Sequence, residues 1–284
     1  MSRSDGRMRG EWQTRIREIG DDSISGATAL LTRALALLRE AAVEPQATLE
    51  ALAGDLCRAQ PSMAGLRTAF HLVRTSTDPA ADLDRLMQRI ARAPQLIARH
   101  ASELLLLRRH GSDVRTLPMR LVTCSASSAV EATIRSLASR ASITVSCAEA
   151  RPRLEGRAMA IRLADGGVSI ELHTDAGISR AVPGADALIV GADAIGPSSF
   201  INKVGTAALC ALAGSAGVPV YVLAGREKIL GASEFNSLSL KEADAAEVWA
   251  GTHPGVLVCN SYFEAIPREL VSTIVTDAGP MHQI

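Results

Sequence analysis

The sequence is poor in aromatic residues and has no net charge. Phe, Trp and Tyr make up 3% of its 284 residues, and 30 Lys and Arg balance 30 Asp and Glu. So few rings argue against a stacking platform for single-stranded nucleic acid. A chain without net charge also creates no global field that attracts nucleic acid or an anionic membrane. We therefore expect no direct nucleic-acid partner.

The sequence also lacks a membrane span, a signal segment and a cysteine framework. No run of about 18 uncharged apolar residues occurs, and the N-terminal stretch is polar. The five cysteines are odd in number and form no C-x-x-C pair. This usage fits reduced thiols better than disulfides or a zinc site. We expect a cytoplasmic protein with no membrane association.

Two common cofactor signatures are missing. No G-x-G-x-x-G follows the early strand candidates, and the six histidines are scattered without the spacing of metal ligands. The sequence therefore predicts neither a dinucleotide nor a metal ion, and we expect no cofactor.

Residues 1–115 have the spacing of helices. An Ala- and Leu-rich helix is predicted over 26–42, with Asp22 or Ser23 as its N-cap. Pro94 favours the first turn of a helix, so we expect a further helix to begin there. The pattern predicts a helical domain over 1–115.

Beyond this region, apolar runs alternate with helical patterns, as in a parallel sheet covered on both faces. The strand candidates are residues 119–124, 142–147, 168–174, 187–192, 218–224 and 256–261. The helix candidates are residues 127–139, 153–165, 202–216 and 267–271. We predict an α/β protein in which a Rossmann-like ligand-binding domain with a mainly parallel sheet occupies 116–284. In such folds the ligand binds at the carboxyl ends of the strands.

The turns after the first two strand candidates are rich in polar groups. Residues 124–128 form a small hydroxyl-rich turn whose N–H groups and hydroxyls can hold an anion such as phosphate, unless Ser127 serves only as a helix cap. After the second strand, Arg151 and Arg153 flank Pro152. These arginines either bind a carboxylate or phosphate bidentately or lie on a solvated surface.

A carboxylate follows the fourth strand candidate. Asp193 leaves a strongly apolar run, where desolvation would suit a general acid and a nearby Lys203 would oppose that effect. Asn202 and Lys203 are expected at the mouth of the next helix, where they would bind an anionic substrate. The alternative is that Asp193 caps that helix or pairs with Lys203 for stability alone.

Several segments together resemble a known family. The strings GADAI, INKVGTAALCALA and VPVYVLA are similar to the superfamily that joins the alpha, beta and delta subunits of translation initiation factor 2B to methylthioribose-1-phosphate and ribose-1,5-bisphosphate isomerases. EARPRLEG resembles that family's E-T-R-P-x-x-Q-G segment, and SYFEAIPRELVSTIVTDAG resembles its closing segment. The resemblance implies a helical N-terminal domain, a Rossmann-like domain, a homodimer and a pocket for a phosphorylated sugar.

The resemblance also implies an acid/base pair. In the isomerases, a Cys after the first strand and the Asp of G-A-D open the sugar ring and move hydrogen between C1 and C2. Asp193 matches that Asp. The isomerase turn T-H-C-N-S-S-A-V, laid without a gap on residues 123–130, places Ser125 at the catalytic Cys and Cys124 one residue earlier. Asp193, Cys124 and Ser125 are therefore the catalytic candidates.

The helical part departs from the family. Its R-G-A segment corresponds to Ser25-Gly26-Ala27 and its R-P-T segment to Gln60-Pro61-Ser62, so two arginines that hold phosphate in the isomerases are missing. Each could supply a charge-assisted bond worth about 1.5–3 kcal/mol. Gly26 remains a candidate for substrate binding, beside the candidates Arg151, Arg153, Asn202 and Lys203.

Two functions follow from this resemblance. The first is a phosphosugar-binding protein that acts as a divergent aldose–ketose isomerase without metal or nucleotide cofactor. The alternative is a non-catalytic regulatory subunit, similar to the alpha subunit of initiation factor 2B, that binds a phosphosugar or nucleotide.

Overall fold

The structure is a computed structural model. It describes residues 3–22, 26–109, 117–240 and 242–281. The domain boundary predicted between residues 115 and 116 lies outside the described residues.

The chain forms two compact units. The first comprises residues up to 91 together with 227–239, and the second comprises 92–226 together with the chain from 240 onward. No helix among the described residues is both long and apolar enough to cross a membrane.

Helices dominate the N-terminal part of the chain. The α-helices of the described residues are α1 (Arg3–Asp21), α2 (Ala27–Glu40), α3 (Gln46–Ala59), α4 (Ala64–Thr75), α5 (Pro79–Arg109), α6 (Ser128–Ala138), α7 (Glu155–Asp165), α8 (Thr206–Ser215) and α9 (Ala232–Asn236).

The strands lie in the second unit. They are β1 (Met119–Thr123), β2 (Ile143–Ala148), β3 (Ser169–His173), β4 (Ala187–Val190), β5 (Ala194–Ile195), β6 (Ser199–Lys203), β7 (Val220–Leu223), β8 (Phe263–Pro267), β9 (Thr273–Thr276) and β10 (Gly279–Met281).

The first unit has its own hydrophobic core, built from the apolar faces of its helices. Leu35 and Leu38 of α2, Leu56 of α3 and Leu66 of α4 belong to this core and are almost completely buried. Most of the stability of these helices therefore comes from packing of their apolar faces rather than from helix propensity.

The cap of α2 differs from the prediction. Gly26 is its N-cap, with extended backbone angles and no side-chain cap bond. Asp22 instead pairs with Arg33 over 2.6 Å, so its carboxylate serves an ion pair. The other predicted cap, Ser23, lies outside the described residues.

The prediction that a helix starts at Pro94 is wrong, because α5 runs through this residue without a break. Buried positions recur on both sides of the proline at helical spacing, at Ile90, Ile97, Ala101 and Leu105. An interior proline costs a helix about 3 kcal/mol. Burial of these apolar side chains outweighs that cost.

The main sheet has seven strands in the order β10-β9-β7-β4-β1-β2-β3. Its neighbours pair in parallel except for β10, which is antiparallel to β9. The predicted α/β fold, with helices first and a mainly parallel sheet after them, is confirmed. The first five predicted strands are confirmed as well. Successive strands run outward from β1 in one direction through β2 and β3, and in the other through β4 and β7.

The sixth predicted strand, over 256–261, is wrong. Val256 and Leu257 are 53% and 87% exposed, so this apolar run is not part of the core. The place beside β7 is taken by β9, where Ile274 pairs with Val222 and is buried. The helix predicted over 267–271 is only a short 3₁₀ turn at 268–270.

A second, smaller sheet changes the environment of two predicted site residues. It has three strands in the order β5-β6-β8, and its pairs are antiparallel. Asn202 and Lys203 lie in β6 and not in a helix, which corrects their predicted placement. Helix α8 begins only at Thr206, after Gly205 at φ +97°. This left-handed conformation favours glycine and separates the strand from the helix.

We expect truncation of Ile97 to destabilise the protein, because this α5 side chain is 1% exposed. Ile97→Ala should lower the free energy of unfolding by about 2–5 kcal/mol. Its neighbour Leu96 is 39% exposed, so Leu96→Ala is the matched control. This substitution should change the free energy of unfolding by no more than about 0.5 kcal/mol. Urea denaturation followed by circular dichroism measures both, and equal losses would contradict this assignment of the buried face.

Candidate functional site

The candidate site lies where the chain leaves the central strands of the main sheet. Ser125 comes shortly after β1, Arg153 after β2 and Asp193 after β4. Strand β1 pairs with both β2 and β4 in parallel, so these residues emerge at one edge of the sheet. This is the point where the direction of winding reverses, which is where α/β sheets bind ligands.

The end of β4 passes close to the first turn of α6. A Cβ atom added to Gly191 would lie 2.9 Å from Ser127 Cβ and 2.9 Å from Ser127 Oγ, and 4.0 Å from Asn202 Oδ1. Glycine is therefore required for this approach. Ser127 is the N-cap of α6, which agrees with the predicted helix cap. Its Oγ accepts a hydrogen bond from the N–H of Val130 at 3.5 Å.

The Cys124 thiol belongs to a buried hydrogen-bond network. The Thr206 hydroxyl donates to the Lys203 carbonyl oxygen at 2.6 Å and accepts from Asn202 Nδ2 at 3.0 Å. Cys124 Sγ lies 3.3 Å from the same hydroxyl oxygen. Because the hydroxyl has only one hydrogen, and that hydrogen is used, the thiol must be the donor in this contact. The network therefore holds Cys124 as a protonated thiol.

The electrostatic surroundings act in the same direction. Cys124 is 5% exposed, and burial raises the pKa of its thiol to about 11. A thiol of this kind is neutral near pH 7 and is a poor nucleophile. Cys124 lies near the predicted site, but its thiol is engaged by α8.

Ser125 has a different set of neighbours. It is half-buried, and its hydroxyl donates to Glu155 Oε1 over 3.5 Å, at the long limit of a hydrogen bond. The same carboxylate oxygen lies 2.7 Å from Lys203 Nζ. Ser125, Glu155 and Lys203 therefore form one contact chain that joins the turn after β1, the start of α7 and the end of β6.

The Glu155 carboxylate is only partly satisfied. Its second oxygen, Oε2, is buried and has no hydrogen-bond partner among the described residues. A buried polar atom without a partner typically costs about 1–3 kcal/mol. Glu155 was not predicted as a site residue. It stands where the family segment E-T-R-P-x-x-Q-G has Gln, a difference visible in the sequence but meaningful only once Lys203 is placed beside it.

Lys203 is a buried cation with two partners. It is 5% exposed, and its Nζ lies 4.8 Å from the centroid of the Tyr262 ring in addition to its ion pair with Glu155. An aromatic face within about 6 Å attracts a cation. The positive charge predicted to bind an anion is thus already compensated by a carboxylate.

Arg153 also lies beside the Tyr262 ring. Its guanidinium carbon lies 4.9 Å from the Tyr262 centroid, its Nε donates to the tyrosine oxygen at 2.5 Å, and its Nη2 pairs with Glu247 Oε1 at 3.1 Å. The Tyr262 hydroxyl in turn donates to Glu247. Arg151 is exposed, and its Nη2 makes one long contact of 3.5 Å with the Glu247 carbonyl oxygen.

Asp175 fixes the loop that carries these arginines. Its carboxylate accepts from the main-chain N–H groups of Ala150 and Arg151 at 2.8 and 2.7 Å. Ala150 has a φ of 60°, a left-handed conformation that costs a residue with a Cβ atom free energy. The two hydrogen bonds from Asp175 help to hold the loop in this conformation.

Asp193 is placed by its main chain. Its N–H donates to the Ile201 carbonyl oxygen at 2.7 Å, and this main-chain bond extends the pairing between β5 and β6. The residue as a whole is half-buried. Asp193 and Asn202 therefore come from the two arms of one hairpin.

The remaining predicted residue, Gly26, belongs to the first unit, where it caps α2. The Gln60 side chain of the same unit donates to the carbonyl oxygens of Ile19 and Gly20 at 2.8 and 3.3 Å. The residue that replaces the family's second arginine therefore has a role in joining helix ends within its unit.

Sequence reasoning did not single out Glu155, Tyr262 or Glu247. Their partners are distant in sequence: Tyr262 contacts Arg153 and Lys203 from the segment before β8. The local sequence could indicate only that Ser, Thr and acidic residues at helix starts act as caps. No group of three His, Cys, Asp or Glu with the arrangement of a metal site occurs among the described residues.

The thiol network predicts how the cysteines react. With a pKa of about 11, Cys124 is thiolate to about one part in a thousand at about pH 8. Cys259 is exposed, whereas Cys57, Cys147 and Cys210 are buried. A thiol-specific chromogenic reagent should therefore label one cysteine of the native protein rapidly, and none in Cys259→Ser. Rapid native labelling of Cys124, mapped by mass spectrometry, would contradict the network.

Comparison with known proteins supplies the family. The profile of the Initiation factor 2 subunit family matches residues 19–283. A ribose 1,5-bisphosphate isomerase of Archaeoglobus fulgidus is 30% identical over 55% of this chain and 51% of its own length. A methylthioribose-1-phosphate isomerase of Desulforudis audaxviator is 35% identical over 48% of this chain and 42% of its own length. In these matches the chain spans about half the length of the curated relatives.

A solved structure gives the same fold. The chain is similar to a translation initiation factor eIF-2B of Pyrococcus horikoshii OT3, with a TM-score of 0.78 and 24% identity over 95% of this chain and 96% of the other. At this identity the likeness concerns the fold alone. The family profile, which covers most of the sequence, establishes that the chain belongs to the Initiation factor 2 subunit family.

Proposed function

We propose that this protein binds a small phosphorylated sugar and isomerises it from aldose to ketose. The substrate class comes from the relatives, whose names specify ribose 1,5-bisphosphate and methylthioribose 1-phosphate as substrates. Within this proposal the second unit acts as a Rossmann-like domain and the sugar lies at the carboxyl ends of its central strands.

One observation carries the proposal. Asp193, a half-buried residue, follows β4 at the point where the winding of the sheet reverses, and the Ser125–Glu155–Lys203 chain lies at the end of the adjacent β1. Proton transfer between neighbouring carbons needs an acid and a second polar group, and both kinds of group follow adjacent strands at this edge of the sheet.

In the proposed reaction Asp193 gives a proton to the ring oxygen, which opens the sugar. Asp193 then takes the proton from the C2 hydroxyl as the ketone forms, while a second group at residues 124–125 exchanges the hydrogen between C2 and C1. The two residues differ in suitability. The Cys124 thiol is engaged with Thr206, and Ser125 has a hydroxyl that is a poor base.

The hydrogen bond between the Cys124 thiol and Thr206 favours a second candidate function. A buried thiol that donates to Thr206 and has a pKa of about 11 is not poised for chemistry. A regulatory subunit would need the pocket but not the thiol. In this alternative the protein binds a phosphosugar or a nucleotide without turnover.

The test combines binding with product analysis. Ribose 1,5-bisphosphate, methylthioribose 1-phosphate and nucleoside monophosphates are screened by thermal shift, because a ligand bound only to the native state raises the melting temperature. Compounds that bind are followed by NMR for conversion to the ketose. We expect turnover in the wild type and a loss of about 10²- to 10⁴-fold in Asp193→Asn, since a general acid contributes about this factor.

The control is Asp165→Asn, which removes an exposed carboxylate at the end of α7. It should leave turnover unchanged. Binding without turnover in the wild type would favour the regulatory alternative, and unchanged turnover in Asp193→Asn would remove Asp193 from the mechanism.

The homodimer and the cytoplasmic location stay predictions that rest on the family and the composition. Light scattering of the purified protein should give the mass of two chains. A mass of one chain across the accessible concentration range would contradict the dimer.

A further inference from the structure

The Glu155 carboxylate is the chemically unusual group at the sheet edge. Its side chain is 31% exposed, so solvent and small molecules can reach part of it, and its Oε1 contacts both Ser125 Oγ and Lys203 Nζ. Its Oε2 has no partner among the described residues. The carboxylate therefore retains capacity to accept a proton.

The two other candidates for moving a carbon-bound hydrogen are weaker on chemical grounds. The Cys124 thiol is a hydrogen-bond donor to Thr206 and is buried. The Ser125 hydroxyl does not ionise near neutral pH and needs an adjacent base to act. The group in contact with the Ser125 hydroxyl is Glu155. A carboxylate supplies the titratable capacity that the serine lacks.

We propose that Glu155 is the base that transfers the carbon-bound hydrogen, with Ser125 and Lys203 positioning its carboxylate. This inference rests on the proposed isomerase function and deepens it. It assigns the second half of the acid/base pair to a residue at the start of α7 rather than to the turn after β1.

The step balances with two carboxyl groups and no other reactant. Asp193 donates its proton to the ring oxygen, and the bond from that oxygen to C1 breaks. Glu155 takes the proton from C2, and the C–H electron pair forms a double bond between C1 and C2. Glu155 then returns this proton to C1, the C2 oxygen forms the ketone, and its hydroxyl proton goes to Asp193. Both residues end in their starting states.

The charged and polar groups that contact Glu155 are few in the part of the chain that the structure describes. Lys203 approaches from β6, and Ser125 from the turn after β1. Arg157 lies in the same helix as Glu155, α7, and pairs with Glu149 at 3.1 Å.

The experiment compares Glu155→Gln with Glu149→Gln. Glu149 is the matched control, because it lies just after β2 in the loop that leads into α7 and has its own ion pair with Arg157. Turnover of the substrate found in the screen is measured by NMR in D₂O. We expect the wild type and Glu149→Gln to place solvent deuterium at C1 of the product. Glu155→Gln should slow turnover by about 10²- to 10⁴-fold while the substrate still raises its melting temperature.

Two further variants keep the test valid if Glu155→Gln folds poorly. Glu155→Asp keeps the charge beside Lys203 and shifts the carboxylate by one methylene, so it should fold and turn over more slowly than the wild type. Ser125→Cys combined with Glu155→Gln provides a thiol and a neutral amide. This double variant should turn over faster than Glu155→Gln alone. Its activity should increase with pH over the range in which a thiol ionises, whereas that of the wild type should increase over the range in which a carboxyl group ionises.

The possible failures are distinguishable. If Asp193→Asn is inactive while Glu155→Gln retains the wild-type rate and deuterium incorporation, Glu155 is not the base and the isomerase function stands. If the wild type converts none of the probes, both the isomerase function and the role of Glu155 are overturned.

Discussion

The contact between Lys203 and Glu155 joins the parts of the site. Lys203 ends β6 of the small sheet, and Glu155 begins α7 after the second strand of the main sheet. An almost fully buried ammonium group is tolerated only with a compensating charge. The hairpin that carries Asp193 is therefore tied to the loop that carries the arginines, and Ser125 is drawn into the same contact chain.

The sequence predicted the main sheet well where apolar runs coincide with burial. The segments at β1, β2, β4 and β7 are almost entirely buried, so their hydrophobicity was a direct sign of strand position. The run at 256–261 has the same composition but faces solvent, and β9 could not be distinguished from it without the partner strand. Strand choice of this kind depends on non-local pairing, which no local pattern contains.

The sequence order suggests where the candidate site lies, but it does not show which side chains contact one another there. Parallel strands bring the residues that follow them to one edge, so Ser125, Arg153 and Asp193 could be placed from order alone. The predicted helical placement of Asn202 and Lys203 was wrong because a short antiparallel sheet takes the place of the first turns of a helix. Such sheets form through side chains and strands distant in the chain, here β8.

The ion pairs at the carboxyl ends of the central strands limit which cations are available to bind a phosphate. Two of the three cations expected to hold it already have carboxylate partners, Lys203 with Glu155 and Arg153 with Glu247, whereas Arg151 is exposed and contacts a main-chain carbonyl oxygen. A phosphate that approaches either cation competes with an existing ion pair, so it gains less than it would from an unpaired cation. Protonation of Glu155 removes its charge beside Lys203. In the proposed reaction, uptake of a proton by this carboxylate therefore leaves the positive charge of Lys203 uncompensated and increases its attraction for a phosphate, which links acid/base chemistry and anion binding through one contact.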